Sequence, residues 1–219
     1  MKAIDRLPRA VIFDWDNTLV DTWPVIHDSM NATLRAMGHE PWSPEETRKR
    51  VRRSLREAFP PLFGARWEEA REIFYRRFDA IHLERLTVCD GAEALIALLV
   101  DRGVCLSVVS NKMGRNLRRE AAHLGWDRHF FRLVGATDAA RDKPATEPVE
   151  LALSGSGVER GADVWFVGDT AIDLECAHRA ACTGILVREE PPRDAEFAGF
   201  PPDAHFVRCA DLGRHIASL

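Results

Sequence analysis

Two aspartates separated by one residue, Asp14 and Asp16, stand where the apolar run Ala10-Val11-Ile12-Phe13 gives way to the polar string Asn17-Thr18-Leu19-Val20-Asp21. Carboxylates so spaced, released from a buried strand into a turn, can both face one crevice while the backbone turns between them. One can then attack an electrophile while the other moves a proton. An Asp- and Asn-rich helix cap uses the same residue types, so the pair alone leaves both readings open. A second acidic pair, Asp169 and Asp173, follows the apolar run Val164 to Val167 through Gly168. Its four-residue spacing puts both side chains on one helix face if the helix has begun. Ser110-Asn111-Lys112 follows the run Val104 to Val109, and Lys143-Pro144 lies in a polar loop. Taken singly, Ser110-Asn111 is a common helix cap and Lys143-Pro144 is ordinary loop chemistry.

The elements that must position these groups are readable. The runs Ala10 to Phe13, Val104 to Val109, Leu133-Val134-Gly135, Val164 to Val167 and Gly184 to Val187 do not alternate, as expected for strands buried on both faces of a parallel sheet. Helical patterns separate them, which predicts an α/β fold: a doubly wound, Rossmann-like parallel sheet. Asp90 with Glu93 suggests a capping box before the stripe Ala94, Leu95, Leu98, Leu99. Further helices are expected from about Arg115 to Leu124, from Thr146 and Glu147, and from Ala171. The stretch from about Thr22 to Val88 carries no convincing strand. Ile26, Met30, Leu34 and Met37 mark one amphipathic helix there, Ser43-Pro44-Glu45-Glu46 opens another, and Arg66 to Leu83 reads as a longer third. The expected organisation is an α/β core of residues 1–21 and 89–219 with a helical domain, 22–88, inserted after the first strand. Such an insertion falls at the carboxyl end of the sheet, where open α/β folds bind ligands. The tail from Glu189 is expected to add an edge strand near Ala204 to Val207 and a final helix.

Composition narrows the function classes. The chain has 219 residues, is 46% hydrophobic and carries 30 Lys and Arg against 34 Asp and Glu. A net charge of −4 provides no global field for nucleic acid or a membrane surface. The five cysteines form no C-x-x-C pair, and they read as reduced thiols in a cytoplasmic protein. Met1 to Arg9 carries no apolar segment of signal-peptide length, and no segment approaches the roughly 20 apolar residues of a membrane span.

The string Asp14-x-Asp16-Asn17-Thr18-Leu19-Val20-Asp21 resembles the first motif of the haloacid dehalogenase superfamily of phosphatases. Ser110-Asn111-Lys112, Lys143-Pro144 and Gly168-Asp169-Thr170-Ala171-Ile172-Asp173 follow in the family's order. The helical insertion matches the family's small helical cap, and within the superfamily the chain most resembles the phosphoglycolate phosphatases and their close relatives. The resemblance implies a phosphohydrolase that uses Mg2+ and attacks a small phosphorylated metabolite with Asp14, through an aspartyl phosphate. It implies a metal held by the Asp14 carboxylate, the Asp16 backbone carbonyl and Asp169, with Asp173 in or near the second shell. Asp16 then acts as acid and base, Ser110 and Lys143 hold phosphate oxygens, and Thr18 and Asn111 contact substrate. Three positions depart from the common pattern: Asn17 where many relatives have Gly, Trp15 in place of an aliphatic residue, and Ala181-Cys182 where Ala-Gly is common. None is expected to touch a catalytic atom.

The insertion contains six basic residues in nine, from Arg48 to Arg56. Arg52 and Arg53 are candidates to bind a second anionic group of the substrate, against the plainer reading of a solvated helix face. Trp23, Trp42 and Trp67 read as packing rather than substrate stacking, and His27 and His39 show no metal-ligand spacing. The expected partner is a small phosphate ester, without nucleic acid or membrane, and the expected assembly is a monomer or homodimer. A phosphomutase would share the same motifs. A dehalogenase would need neither a second acid at Asp16 nor a metal carboxylate at Asp169, and a binding protein that had lost activity would not be expected to keep every charged position.

Overall fold

A computed structural model describes residues 4–51, 55–193, 196, 197 and 199–219. The chain divides into two compact units, one formed by Met1–Val20 with Val88–Leu219 and the other by Asp21–Thr87. In chain order the elements are β1 (Ala10–Phe13), β2 (Val20–Asp21), α1 (Trp23–Ala36), α2 (Pro44–Arg50), α3 (Leu55–Phe63), α4 (Trp67–Ile81) and β3 (Thr87–Val88). They continue with α5 (Ala92–Asp101), β4 (Cys105–Met113), α6 (Gly114–His123), β5 (Arg132–Ala136), α7 (Glu147–Leu153) and β6 (Val164–Gly168). The last elements are α8 (Ala171–Arg179), β7 (Thr183–Val187), β8 (Ala204–Phe206) and α9 (Cys209–Ala217).

Among the described residues the first unit holds a six-stranded sheet in the order β5-β4-β1-β6-β7-β8, its neighbouring strands paired in parallel. Side chains alternate across a strand. Ala10 and Ile12 therefore join Val109, Val134 and Phe166 in a core with Val149, Ala152, Cys176 and Ala177 of α7 and α8, while the buried Val11 and Phe13 face the opposite layer. The non-alternating composition of β1, β4, β6 and β7 follows from this burial on both faces. The chain builds outward from β1 on one side through β4 and β5, then crosses back to add β6 and β7 on the other. The carboxyl end of β1 is thus the topological switch point, the crevice where open α/β sheets bind ligands.

Asp90 and Glu93 do not cap α5. The N-cap position is Gly91, with a left-handed φ of 79° and no side-chain cap bond. A Cβ there would lie 2.4 Å from the Ala210 backbone nitrogen, so close packing against α9 dictates the residue.

The second unit is helical, and its core joins Val25, Met30 and Leu34 of α1, Phe59 and Phe63 of α3, and Phe74, Phe78 and Ile81 of α4. Asp28 ties α1 to the end of this segment by accepting from Arg77 at 2.5 and 3.0 Å and from Arg85 at 3.0 Å. The capping box at Ser43 forms as expected, with reciprocal bonds of 3.1 Å to Glu46. Trp42 and Trp67 pack against the core. Within the basic stretch, α2 stops at Arg50 and Val51 leaves helical geometry, and Arg56 lies in α3. Arg52 and Arg53 lie outside the described residues. Where no strand was expected, β3 supplies two residues that pair with β2, so the chain leaves for the helical unit and returns along adjacent strands.

Candidate active site

Parallel pairing carries β1 into the site: the Asp14 amide donates to the Val167 carbonyl at 2.8 Å. The chain then turns within a few residues, the Leu19 amide bonding Trp15 O at 3.0 Å and the Asn17 amide bonding Val20 O at 2.6 Å. Asn17 takes a left-handed φ of 63°, which explains why Asn or Gly suits the position. In register on the other side of β1, Val108 pairs Phe13, so Ser110 follows close to Asp14. At the end of β6, a Cβ on Gly168 would sit 2.4 Å from Asp173 Cβ. Only glycine lets the start of α8 approach so closely.

Oxygens of Asp14, Asp169 and Asp173 lie within 4.8 Å of one another. Lys143 Nζ stands between two of them, donating to Asp14 Oδ1 at 2.6 Å and Asp173 Oδ1 at 2.7 Å. Asp173 Oδ2 accepts from the Thr170 hydroxyl at 2.7 Å and the Thr170 amide at 3.0 Å, so both its oxygens are already engaged. Burial pushes the Asp14 carboxyl up to about 7 against the opposing pull of Lys143, and the charges of Asp173 and Asp16 add to the rise. Asp169 is likewise held well above the carboxylate range, by burial first and then by Asp173 and Asp14. Burial alone would lower the Lys143 ammonium, but Asp14 and Asp173 outweigh it and hold it raised. Three carboxylates facing one lysine make a site short of positive charge. It suits a hard divalent cation.

Two residues expected to contact substrate have partners within the protein. Thr18 Oγ1 donates to Asp169 Oδ1 at 3.3 Å, aiming that carboxylate. The Asn111 side chain spans the backbone of Lys143, accepting from its amide at 3.0 Å and donating to its carbonyl at 3.2 Å. Asn111 therefore fixes the loop that delivers Lys143. Ser110 Oγ accepts from the Lys112 amide at 3.2 Å.

A second cluster surrounds Asp16. Lys112 Nζ donates to Asp16 Oδ1 at 2.6 Å and to Glu120 Oε2 at 2.7 Å, and the Trp15 indole N–H donates to the same Glu120 oxygen at 2.7 Å. Trp15 touches no proposed catalytic atom directly, yet hydrogen bonds join it to Asp16. In the sequence Lys112 stands out only as part of Ser110-Asn111-Lys112, and Glu120 belongs to no motif. The available signal was Glu120 itself, a carboxylate on the stripe Leu117, Glu120, Ala121, Leu124 where α6 packs against the sheet. Arg188 was also missed: its guanidinium, paired with Glu196 at 2.7 Å, reaches the Asp169 carbonyl at 3.4 Å.

Residues 11–187 match the family described as Haloacid dehalogenase-like hydrolase. The chain is 31% identical over 186 residues to a phosphoglycolate phosphatase of Xylella fastidiosa, covering 83% of this chain and 81% of that one. It is 28% identical over 204 residues to the pyrophosphatase PpaX of Listeria innocua, covering 92% and 93%. A solved hydrolase of the superfamily from Ehrlichia chaffeensis superposes with a TM-score of 0.67 at 28% identity, covering 98% of both chains. With a match through β1, β4, β6 and β7 and acidic side chains gathered beyond the carboxyl ends of β1 and β6, the chain belongs to the haloacid dehalogenase-like hydrolases, and it is a phosphatase of that family.

Proposed function

We propose that this phosphatase hydrolyses a small phosphate monoester of the phosphoglycolate type, with Asp14 as nucleophile and an aspartyl phosphate as the intermediate. The reading rests on the meeting of Asp14, Asp169 and Asp173 within 4.8 Å, with Lys143 bonded to two of them. The donor set fits Mg2+: hard carboxylate oxygens, two of the acids raised by burial and mutual repulsion that a cation would relieve. The Asp14 and Asp169 carboxylates and the Asp16 backbone carbonyl would hold the ion, with Asp173, already bonded to Lys143 and Thr170, behind them. Bound there, magnesium supplies the positive charge that lets an anionic nucleophile approach an anionic phosphate.

The chain's own groups then divide the work. Asp14 attacks phosphorus in its ionised form, which Lys143 favours. Asp16 gives a proton to the leaving oxygen and later takes one from the water that opens the acyl phosphate. Ser110 keeps a hydroxyl proton to offer a phosphate oxygen, and Lys143 adds charge beside it. Thr18 and Asn111 serve by aiming Asp169 and Lys143. Arg52 and Arg53 are assigned a second anionic group of the substrate, and the helical insertion the role of a cap that excludes water during turnover. The five cysteines are free thiols, consistent with a reducing compartment such as the cytoplasm.

The test is a panel of phosphate esters, with phosphoglycolate and 4-nitrophenyl phosphate included, together with the anhydride pyrophosphate, ranked by kcat/KM with and without magnesium. Release of inorganic phosphate that requires magnesium and disappears in Asp14→Asn, together with an acid-quenched phosphoryl group on Asp14, is the expected result. Transfer of the phosphoryl group to a sugar without phosphate release would identify a mutase instead.

A further inference from the structure

Glu120 is a carboxylate with no exposed surface, lodged on the sheet-facing side of α6, and the chemistry above makes no use of it. Its partners are equally enclosed. The Lys112 side chain is 4% exposed, and Trp15, wholly buried, is held edge-on by Trp126 and Phe130 with ring centroids 5.9 and 6.4 Å away. An ion pair placed this deep is poor value for stability alone, because well-packed apolar side chains of similar volume serve as well or better. What apolar side chains cannot do is reach out and hold a carboxylate in one direction. Of the acids Lys112 touches, Asp16 is the one that opens to the crevice, with a side chain 21% exposed.

We propose that Trp15, Glu120 and Lys112 form a positioning relay for the Asp16 carboxylate, an inference that rests on the acid–base reading of Asp16. The aromatic cluster fixes the indole, the indole N–H fixes Glu120 Oε2 at 2.7 Å, and Glu120 fixes the Lys112 ammonium at 2.7 Å. The ammonium then holds Asp16 Oδ1 at 2.6 Å. With Oδ1 engaged, Oδ2 is the oxygen left to exchange a proton with the leaving group. The proton on Oδ2 passes to the ester oxygen as the P–O bond breaks, and Asp16 is left ionised. Because Glu120 balances the charge of Lys112, the relay contributes direction rather than net charge. It also accounts for the tryptophan at position 15, where an aliphatic residue would pack but could not donate.

A positioning role separates from a structural one by its dependence on the leaving group. Protonation matters for an alkoxide and little for 4-nitrophenolate, so a misplaced Asp16 damages only the first. With magnesium present, Lys112→Met and Glu120→Gln are expected to lower kcat/KM for glycerol 2-phosphate about 100-fold. The loss on 4-nitrophenyl phosphate should stay under about 3-fold, as in Asp16→Asn. Trp15→Phe, which keeps an aromatic ring and deletes the donor, should produce the same selective loss at roughly 5-fold, and it carries the test if the charge variants fold poorly. Equal losses on both esters in the relay variants, with Asp16→Asn still selective, would overturn the relay and leave the acid–base role of Asp16 standing. Equal losses in Asp16→Asn itself would remove that role, and the relay with it.

Discussion

Lys143 and Lys112 are both buried between two acids, yet the surroundings of the two lysines differ. Lys143 comes from a loop pinned by Asn111 and faces Asp14 and Asp173, side chains 10% and 0% exposed, with Asp169 close by. Lys112 comes from β4 and joins Asp16, at 21%, to the wholly enclosed Glu120. The first lysine sits amid an excess of negative charge, so its removal changes the electrostatics around Asp14. The second belongs to a balanced pair, so its removal changes where a carboxylate points. One type of side chain thus supplies charge in one place and direction in the other, according to the ratio of acids to lysines around it.

The largest effect expected on this contrast is that of Asp14→Asn, which should cut kcat by at least ~10⁴-fold. Because Asp14 is an acid strained by burial and like charge, the change should not lower the melting temperature of the cation-free protein, as calorimetry would record. Lys143→Met is next. Breaking a buried pair costs about 3–5 kcal/mol, measurable by urea unfolding without magnesium. Its loss of kcat/KM should be the same for aryl and alkyl esters. A Lys143→Met enzyme that spared the aryl ester would collapse the distinction between the two lysines.

Gly168→Ala probes the frame beneath Lys143. Its Cβ would meet Asp173 Cβ at 2.4 Å, displacing the start of α8 and lowering kcat about 100-fold at a cost of roughly 1–3 kcal/mol in stability. The smallest effect is on pH. The Asp14 carboxyl rises from 3.8 to about 7 in the folded, cation-free protein, so between those values the folded state holds a proton that the unfolded chain has lost. The stability this provides is complete below the lower value and is lost as pH climbs through about 7. Magnesium competes with that proton. Added magnesium should therefore raise the melting temperature by more at about pH 8 than at about pH 5. An equal rise at both would show that the cation does not displace a proton from Asp14.

The same contrast sets what was legible in the sequence. Asp14, Asp16 and Asp169 announce themselves because each stands just past a run of buried strand residues, with Asp173 four residues beyond Asp169, and runs such as Val164 to Val167 fix where strands must end. Glu120 has no such marker. It lies 105 positions from Trp15, and the sequence Arg-Arg-Glu-Ala-Ala around it reads as an exposed helix face. Only the phase of the helix, with Leu117 and Ala121 also buried, turns it inward. In the fold, α3 escaped notice for a different reason: Pro60 and Pro61 lie inside it and argue against any helix locally. Packing of Phe59 and Phe63 into the helical core overrides that preference. The end of β4 was set too early because its register shifts between Val109 and Met113, an irregularity that no periodicity foretells.

The pairing of β2 with β3 has a consequence for how such a chain can diversify. An excursion that departs and comes home at neighbouring points demands no fixed length or shape of what lies between. The 21–87 segment is in this sense a replaceable cassette. Both strand ends that carry Asp14 and Asp169 lie outside that segment, so their spacing does not depend on its length.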